Sequence, residues 1–180
     1  MKTVAKTSIE TLPDYFTLKQ WIIDARKPKP LKNIYAKVRE NIAKYIVFDW
    51  DPRLYDLLSC YIIATYFYYV FNEFPFLYFH GPYGSGKTRG LFTVVNLSRK
   101  GIIVTDPSEA SLYRTTDAYR GTLGVDESIL GKRAWKLIRA AFQKGTKVPR
   151  VEKTRKEEFF LTMFEPFAPM FSQLQSFQAN

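Results

Sequence analysis

Residues 79–90 read FHGPYGSGKTRG, and this short stretch decides the expected fold. The apolar run FPFLY precedes it at residues 74–78, and a helical pattern follows it. Glycines permit positive φ and let backbone N–H groups turn inward, where a Cβ would otherwise stand in the way. Those N–H groups and the N-terminus of the next helix form a pocket suited to phosphate oxygens. The stretch therefore predicts a phosphate-binding loop between a strand and a helix.

The eight residues 81–88 fit the pattern Gly-x-x-x-x-Gly-Lys-[Ser/Thr]. The residues predicted to surround the bound ligand are Gly81, Pro82, Tyr83, Gly84, Ser85, Gly86, Lys87 and Thr88. Lys87 can reach the outer phosphates as a point charge, and the hydroxyl of Thr88 can ligate Mg²⁺. A merely flexible glycine-serine loop is the alternative. The strand before the loop and the helix after it favour phosphate binding.

A second acidic motif lies in the stretch TLGVDES, residues 122–128. Asp126 and Glu127 end an apolar run that reads as a buried strand. In sites of this kind the aspartate holds the Mg²⁺ environment, and the glutamate can polarise a water as general base. Two acids after a strand are equally typical of a helix start. Their position about 40 residues after the loop, with one strand between, favours the catalytic interpretation.

Strand and helix patterns alternate along the second half of the chain. Strands are predicted at residues 74–81, 101–106 and 121–128, with a further pair at 146–153 and 157–164. Alternation of strands and helices predicts an α/β fold with a mostly parallel sheet. Residues 1–73 are predicted to be a mainly helical N-terminal segment, and residues 74–180 the core domain. Within the first segment, residues 45–50 are expected to form a short strand.

At these motifs the chain resembles the P-loop NTPases, in the branch with a Walker A loop and an Asp-Glu Walker B strand. That branch includes the AAA+ ATPases and the superfamily 3 helicases, and the resemblance covers about residues 74–165. The stretches SEASLYR and LIRAAFQKGTKVPRVE are similar to helicase- or primase-associated ATPases of archaeal mobile elements. By position, the residues matching Walker A are Gly81, Gly86, Lys87 and Thr88, and those matching Walker B are Asp126 and Glu127.

The resemblance implies a three-layer core, binding of ATP with Mg²⁺, and work on DNA. It assigns catalytic roles to Lys87 and Glu127 and metal-binding roles to Thr88 and Asp126. It also implies a homo-oligomer or an assembly with a fuller-length ATPase.

Composition narrows the classes of partner. The chain has 180 residues, is 46% hydrophobic and carries a net charge of +10. This charge favours a polyanionic partner, and nucleic acid is favoured over an anionic membrane surface.

The residue types also exclude some structures and sites. With one cysteine and one histidine, the chain cannot form an internal disulfide or a thiolate or histidine metal site. The uncharged residues 57–71 are too few for a membrane span, so a buried helix is predicted from about residue 53. No apolar leader is visible at the start, so a cytoplasmic location is expected.

The polar turn between the two last predicted strands is basic. It carries Lys153, Arg155 and Lys156, and we expect these side chains to contact a nucleic-acid backbone, as the hairpin of superfamily 3 helicases does. The alternative is an ordinary solvated turn, because Glu152, Glu157 and Glu158 reduce the local positive charge.

Two elements that the resemblance implies have no visible counterpart. These are a polar sensor residue after the Walker B strand and an arginine finger, since no arginine follows Arg155. No strand is predicted after residue 164, and the C-terminal part of the core is expected to be shortened. The polar residues without a predicted place are Gln173, Gln175 and Gln178, and the candidate substitutes for the finger are Arg133, Arg139 and Arg150.

Three functions follow as hypotheses. The first is an ATPase acting on nucleic acid, helicase-like or associated with replication. The second is an ATP-binding regulatory or assembly protein with little hydrolysis of its own, which the shortened C-terminal part favours. The third is a small P-loop kinase. The Asp-Glu pair favours water over an acceptor hydroxyl, and no arginine-rich lid is visible, so the kinase is the weakest of the three.

Overall fold

The computed structural model of the protein describes residues 29–105, 107–126, 138–153 and 159–175. The helices are α1 (Leu31–Tyr45), α2 (Arg53–Thr65), α3 (Lys87–Leu97) and α4 (Glu109–Tyr119), with a 3₁₀ turn at Tyr68–Val70. The strands are β1 (Phe76–Gly81), β2 (Ile102–Thr105), β3 (Leu123–Asp126), β4 (Val148–Lys153), β5 (Phe159–Phe164) and β6 (Met170–Gln175). Residues 138–142 are also helical. Among the described residues, no helix is both long and apolar enough to cross a lipid bilayer.

A four-stranded parallel sheet, in the order β1-β6-β3-β2, lies at the centre. The predictions of an α/β fold with a mostly parallel sheet, and of strands near residues 74–81, 101–106 and 121–128, are confirmed. Parallel strands need crossover connections, and helix α3 lies in the connection from β1 to β2 while helix α4 lies in that from β2 to β3. The carboxyl ends of all four strands therefore meet at one edge of the sheet.

The strand β6 was not expected from the sequence, and the interpretation of residues 165–180 without a strand is wrong. β6 lies between β1 and β3, with Met170 paired to both Phe76 and Leu123. Strands buried on both faces usually read as continuous apolar runs, whereas half of MFSQLQ is polar. Because of these polar positions, the residue pattern does not predict a central strand here.

Helices cover both faces of the sheet. On one face, side chains of α1, α2 and α3 pack with Phe171 of β6, which is 1% exposed. On the other face, α4 and the helical residues 138–142 pack with Met170, Leu123 and Val125. Successive strand residues point to opposite faces, so the neighbours Met170 and Phe171 serve different cores.

The chain divides into two compact units, residues 1–34 and 35–180, and all contacts described here lie in the second. Ile42 of α1 and Ile62 of α2 are fully buried in the same cluster as Leu91 of α3. Residues on both sides of the predicted boundary at 73–74 thus share one core, and the boundary itself stays a prediction.

The prediction of a strand at residues 45–50 is wrong. Helix α1 continues to Tyr45, and the residues after it have no regular structure. The hydroxyl of Tyr55 accepts the N–H of Phe48 at 3.0 Å and donates to the carbonyl of Ile46 at 3.1 Å. These two backbone groups are therefore satisfied by a side chain and not by a neighbouring strand.

Strands β4 and β5 form an antiparallel hairpin, as predicted, in register from Val148↔Phe164 to Lys153↔Phe159. One face of the hairpin packs on α4, where the rings of Phe164 and Tyr113 lie 4.7 Å apart. The opposite face is apolar and exposed, and its side chains are Val151, Phe159, Leu161 and Met163.

The N-cap of helix α4 is Ser108. Its Oγ accepts the N–H of Ser111 at 3.1 Å, which satisfies one of the free N–H groups of the first turn.

Replacing this cap should weaken the protein modestly. We expect Ser108→Ala to lower the free energy of unfolding by about 1 kcal/mol, because the N–H of Ser111 loses its acceptor. Ser108→Asn is the control and should keep the stability, since asparagine caps equally well. Urea unfolding of the three proteins measures both. An unchanged free energy of unfolding in Ser108→Ala would show that the cap contributes nothing.

Candidate functional site

Residues 81–88, here called the glycine loop, connect the carboxyl end of β1 to α3. Gly84 has φ +79° and Gly86 has φ +82°, a left-handed backbone that other residues adopt only with strain. Gly86 is also the N-cap of α3 and brings no side chain in front of the helix. The positive end of the α3 dipole therefore faces the loop without obstruction.

Two other glycines let the loop and α3 close on β1. A Cβ on Gly81 would lie 2.9 Å from Oγ of Ser85, and one on Gly90 would lie 2.3 Å from the ring of Phe79. The second contact is impossible without moving the helix or the ring. Gly90 thus allows the first turns of α3 to lie directly against the strand.

Lys87 lies across the glycine loop. Its Nζ donates to the carbonyl of Pro82 at 2.5 Å and lies 3.4 Å from Oγ of Ser85. Ser85 Oγ also donates to the carbonyl of Pro82, at 2.9 Å. The ammonium group is thereby held at the loop, beside the N-terminus of α3, and makes this region positive.

Gln173 joins the two predicted motifs. Oγ1 of Thr88 donates to Oε1 of Gln173 at 3.0 Å, and Nε2 of Gln173 donates to Oδ1 of Asp126. Asp126 and Gln173 are also register partners in β3 and β6. The two residues predicted to bind metal, Thr88 and Asp126, are thus brought to one place by a residue from a strand that was not predicted.

The role of Gln173 could not be chosen from the sequence. Three glutamines follow residue 170, and only the pairing of β6 with β3 shows which of them lies beside Asp126. The available signal was a polar residue soon after the apolar stretch PMF. Ligand-binding residues of parallel sheets gather at the carboxyl ends of strands, and Gln173 lies near such an end.

An open cleft of about 690 Å³ lies over the glycine loop. One wall is the loop with the start of α3 and Gln173, and the other is formed by Tyr45, Ile46 and Val47. The volume is within the range of small-molecule sites. Tyr83, at 91% exposure, stands almost free at the tip of the loop.

Arg89 is a lining residue that the motif alone did not reveal. It is exposed and belongs both to the cleft and to an adjoining hollow of about 450 Å³. Tyr45 is shared in the same way, and Asn41 and Asn96 line the far part of the hollow. The cleft thus continues from the glycine loop along α3.

Several predicted residues lie outside the described part of the chain. These are Glu127 and the basic residues Arg155 and Lys156, as well as Arg133. The backbone of Lys153 ends β4, opposite Phe159, immediately before the undescribed turn. The predicted base and the predicted nucleic-acid contact therefore stay predictions.

The other arginines proposed as substitutes for a finger have different surroundings. The guanidinium of Arg150 lies over the ring of Tyr113 at 5.0 Å from its centroid. Arg139 is exposed on the helical residues 138–142. Arg89, which was not among those candidates, lines the cleft beside Thr88.

No protein-family model and no curated protein matches this sequence. The candidate site is therefore supported by its geometry alone.

The donors at the site suit magnesium better than a transition metal. The described residues contain no group of three or more His, Cys, Asp or Glu side chains that could hold a metal ion. Thr88 and Asp126 instead provide one hydroxyl and one carboxylate at the edge of the loop. Mg²⁺ is commonly bound in this way, by one or two protein oxygens, the phosphates of a substrate and water.

Proposed function

We propose that the protein is a Mg-ATP-binding P-loop ATPase that acts on nucleic acid, helicase-like or associated with replication. The observation that carries the proposal is the connection from Thr88 through Gln173 to Asp126. It unites the glycine-rich loop after β1 with the acidic end of β3, two strands away in the sheet. A phosphate-binding loop alone would support only binding of an anion.

The sheet supports the same conclusion. The glycine loop follows β1, and β6 separates β1 from the strand that ends in Asp126. Helices on both faces agree with a three-layer P-loop NTPase core. A substrate at the carboxyl edge of this sheet would meet residues from β1, β3 and β6 together.

Each residue at the site has a role in the proposed reaction. The N–H groups of the glycine loop and Nζ of Lys87 would hold the phosphates, while Thr88 and Asp126 would hold the metal. Bound Mg²⁺ would neutralise charge that develops on the phosphate oxygens. Gln173 orients Thr88 and Asp126 through its amide, and Glu127 would take the proton of the attacking water.

Nucleic acid is the partner that the charge supports. The chain carries a net charge of +10, and phosphate contacts from lysine and arginine are the main source of salt-dependent affinity for nucleic acid. The β4–β5 hairpin, with Lys153 at its end, is the candidate contact. A homo-oligomer, or an assembly with a fuller-length ATPase, would provide the arginine finger that the site needs.

The proposal is tested by ATP hydrolysis with and without single-stranded DNA. We expect turnover that DNA stimulates, and we expect Glu127→Gln to reduce it about 10²- to 10⁴-fold while ATP still binds. Glu73→Gln, an exposed glutamate on another loop, is the matched control and should keep full activity.

The other outcomes separate the alternatives. ATP binding without turnover, with or without DNA, would favour a regulatory or assembly protein. Transfer of the γ-phosphate to a nucleoside or nucleotide would favour a small kinase. A protein that binds neither ATP nor GTP would contradict all three.

A further inference from the structure

The wall of the cleft opposite the glycine loop has no role in the proposed phosphate chemistry. It consists of Tyr45, Ile46 and Val47, where α1 ends. Tyr45 and Val47 are exposed, at 59% and 72%. The wall therefore offers an aromatic ring, aliphatic side chains and backbone to whatever occupies the cleft.

Tyr55 holds the backbone of this wall on both sides of Val47. Its hydroxyl accepts the N–H of Phe48 and donates to the carbonyl of Ile46. The N–H of Ile46 is bonded to the carbonyl of Ile42 at 2.9 Å. Within the described residues, the N–H and the C=O of Val47 have no hydrogen-bond partner. One donor and one acceptor are thus left at the cleft, between two fixed positions.

Tyr55 is itself fixed in place. Its ring packs edge-to-face on Phe48 at 5.1 Å, and the guanidinium of Arg39 lies over it at 5.3 Å. Asp56 accepts hydrogen bonds from Tyr35 at 2.6 Å and from Arg39 at 2.7 Å, which hold the pKa of its carboxyl below the usual value. Arg39 is thereby tied to α2, and the hydroxyl of Tyr55 stays directed at the wall.

We propose that Val47 and Tyr45 bind the nucleobase and that this site prefers adenine, with Tyr55 as the positioning residue. The inference rests on the proposed function, because it places the phosphates of the same nucleotide on the glycine loop. Tyr45 offers a ring face for stacking, and the peptide groups of Val47 offer hydrogen bonds.

The preference follows from counting polar groups. The Watson–Crick edge of adenine has one donor, its amine, and one acceptor, N1, and the C=O and N–H of Val47 match both. The same edge of guanine has three polar groups, so one of them would lose water without gaining a partner. Such an unpaired group costs binding free energy, and the backbone of Val47 has no third polar group to pair with it.

Direct binding of ATP, GTP and inorganic tripolyphosphate tests the proposal without any need for turnover. We expect calorimetry to give ATP an affinity roughly tenfold above that of GTP, the value for about one polar group left unpaired in bound GTP. Tyr55→Phe removes only the hydroxyl and should reduce the preference for ATP over GTP to about twofold, mainly by lowering the affinity for ATP. Tripolyphosphate should bind the variant and the natural protein equally.

Tyr66→Phe is the matched control. Tyr66 also donates its hydroxyl to a backbone carbonyl, that of Leu97 at 3.2 Å, but it lines neither the cleft nor the adjoining hollow. It should keep the tenfold preference.

Two results would overturn the inference: equal binding of ATP and GTP by the natural protein, or an unchanged preference in Tyr55→Phe. If all three ligands fail to bind, the proposed function fails as well. If tripolyphosphate binds and the bases are not distinguished, only the base site is wrong.

Discussion

Lys87→Ala should reduce ATP hydrolysis by about 10²- to 10³-fold, the range for loss of one well-placed charged donor at a reacting phosphate. In the structure, Nζ of Lys87 is held at the loop by the carbonyl of Pro82. A phosphate oxygen can replace that carbonyl as acceptor and gains a full positive charge as its partner. Alanine removes the charge and leaves the glycine backbone unchanged.

Steady-state hydrolysis and calorimetric binding of ATP and tripolyphosphate measure this effect. Both affinities should fall together, since the lysine acts on phosphate and not on the base. Lys37→Ala removes an exposed lysine of α1 and is the matched control. Loss of activity in Lys37→Ala as well would indicate a general effect of net charge, and an unaffected Lys87→Ala would remove the glycine loop from the proposed mechanism.

Gln173→Leu should lower kcat by about 10- to 100-fold while the affinity for ATP changes by less than about threefold. Leucine keeps much of the volume but removes both amide atoms. Thr88 then loses the acceptor for its hydroxyl, and Asp126 loses a donor to its carboxylate. Because the loop still holds the phosphates, binding should be largely retained and only the alignment of the metal oxygens should suffer.

The concentration of Mg²⁺ needed for half-maximal turnover gives a second measurement, and it should rise in Gln173→Leu. A purely structural defect would lower the free energy of unfolding without moving this value. Gln143→Leu, at an exposed glutamine, is the control. If Gln173→Leu hydrolyses ATP normally, the connection between Thr88 and Asp126 has no catalytic role.

The local features of the site could be predicted from the sequence. Glycines with positive φ, a lysine after them and an acid ending an apolar run depend on residues close together in the chain. The strand before the loop, the helix after it and the two strands of the hairpin follow from local patterns in the same way. The structure brings Thr88 and Asp126 to one place through their hydrogen bonds to Gln173.

The features that the sequence did not predict depend on contacts between residues that are distant in the chain. The position of Gln173 is decided by the register of β6 with β3, and no pattern within MFSQLQ contains that information. Residues 45–50 read as a strand because they are mostly apolar, yet the hydroxyl of Tyr55 forms hydrogen bonds with the backbone of Ile46 and Phe48. Tertiary hydrogen bonds here override local preference.

The central position of β6 also determines the order in which the protein can assemble. Its partners in β1 lie roughly 90 positions earlier in the chain, a long-range pairing of the kind that slows folding. During synthesis, β1 and β3 must wait with unpaired edges until Met170–Gln175 emerges from the ribosome. The same late event delivers Gln173 to Thr88 and Asp126. Completion of the sheet and assembly of the proposed nucleotide site are therefore one step.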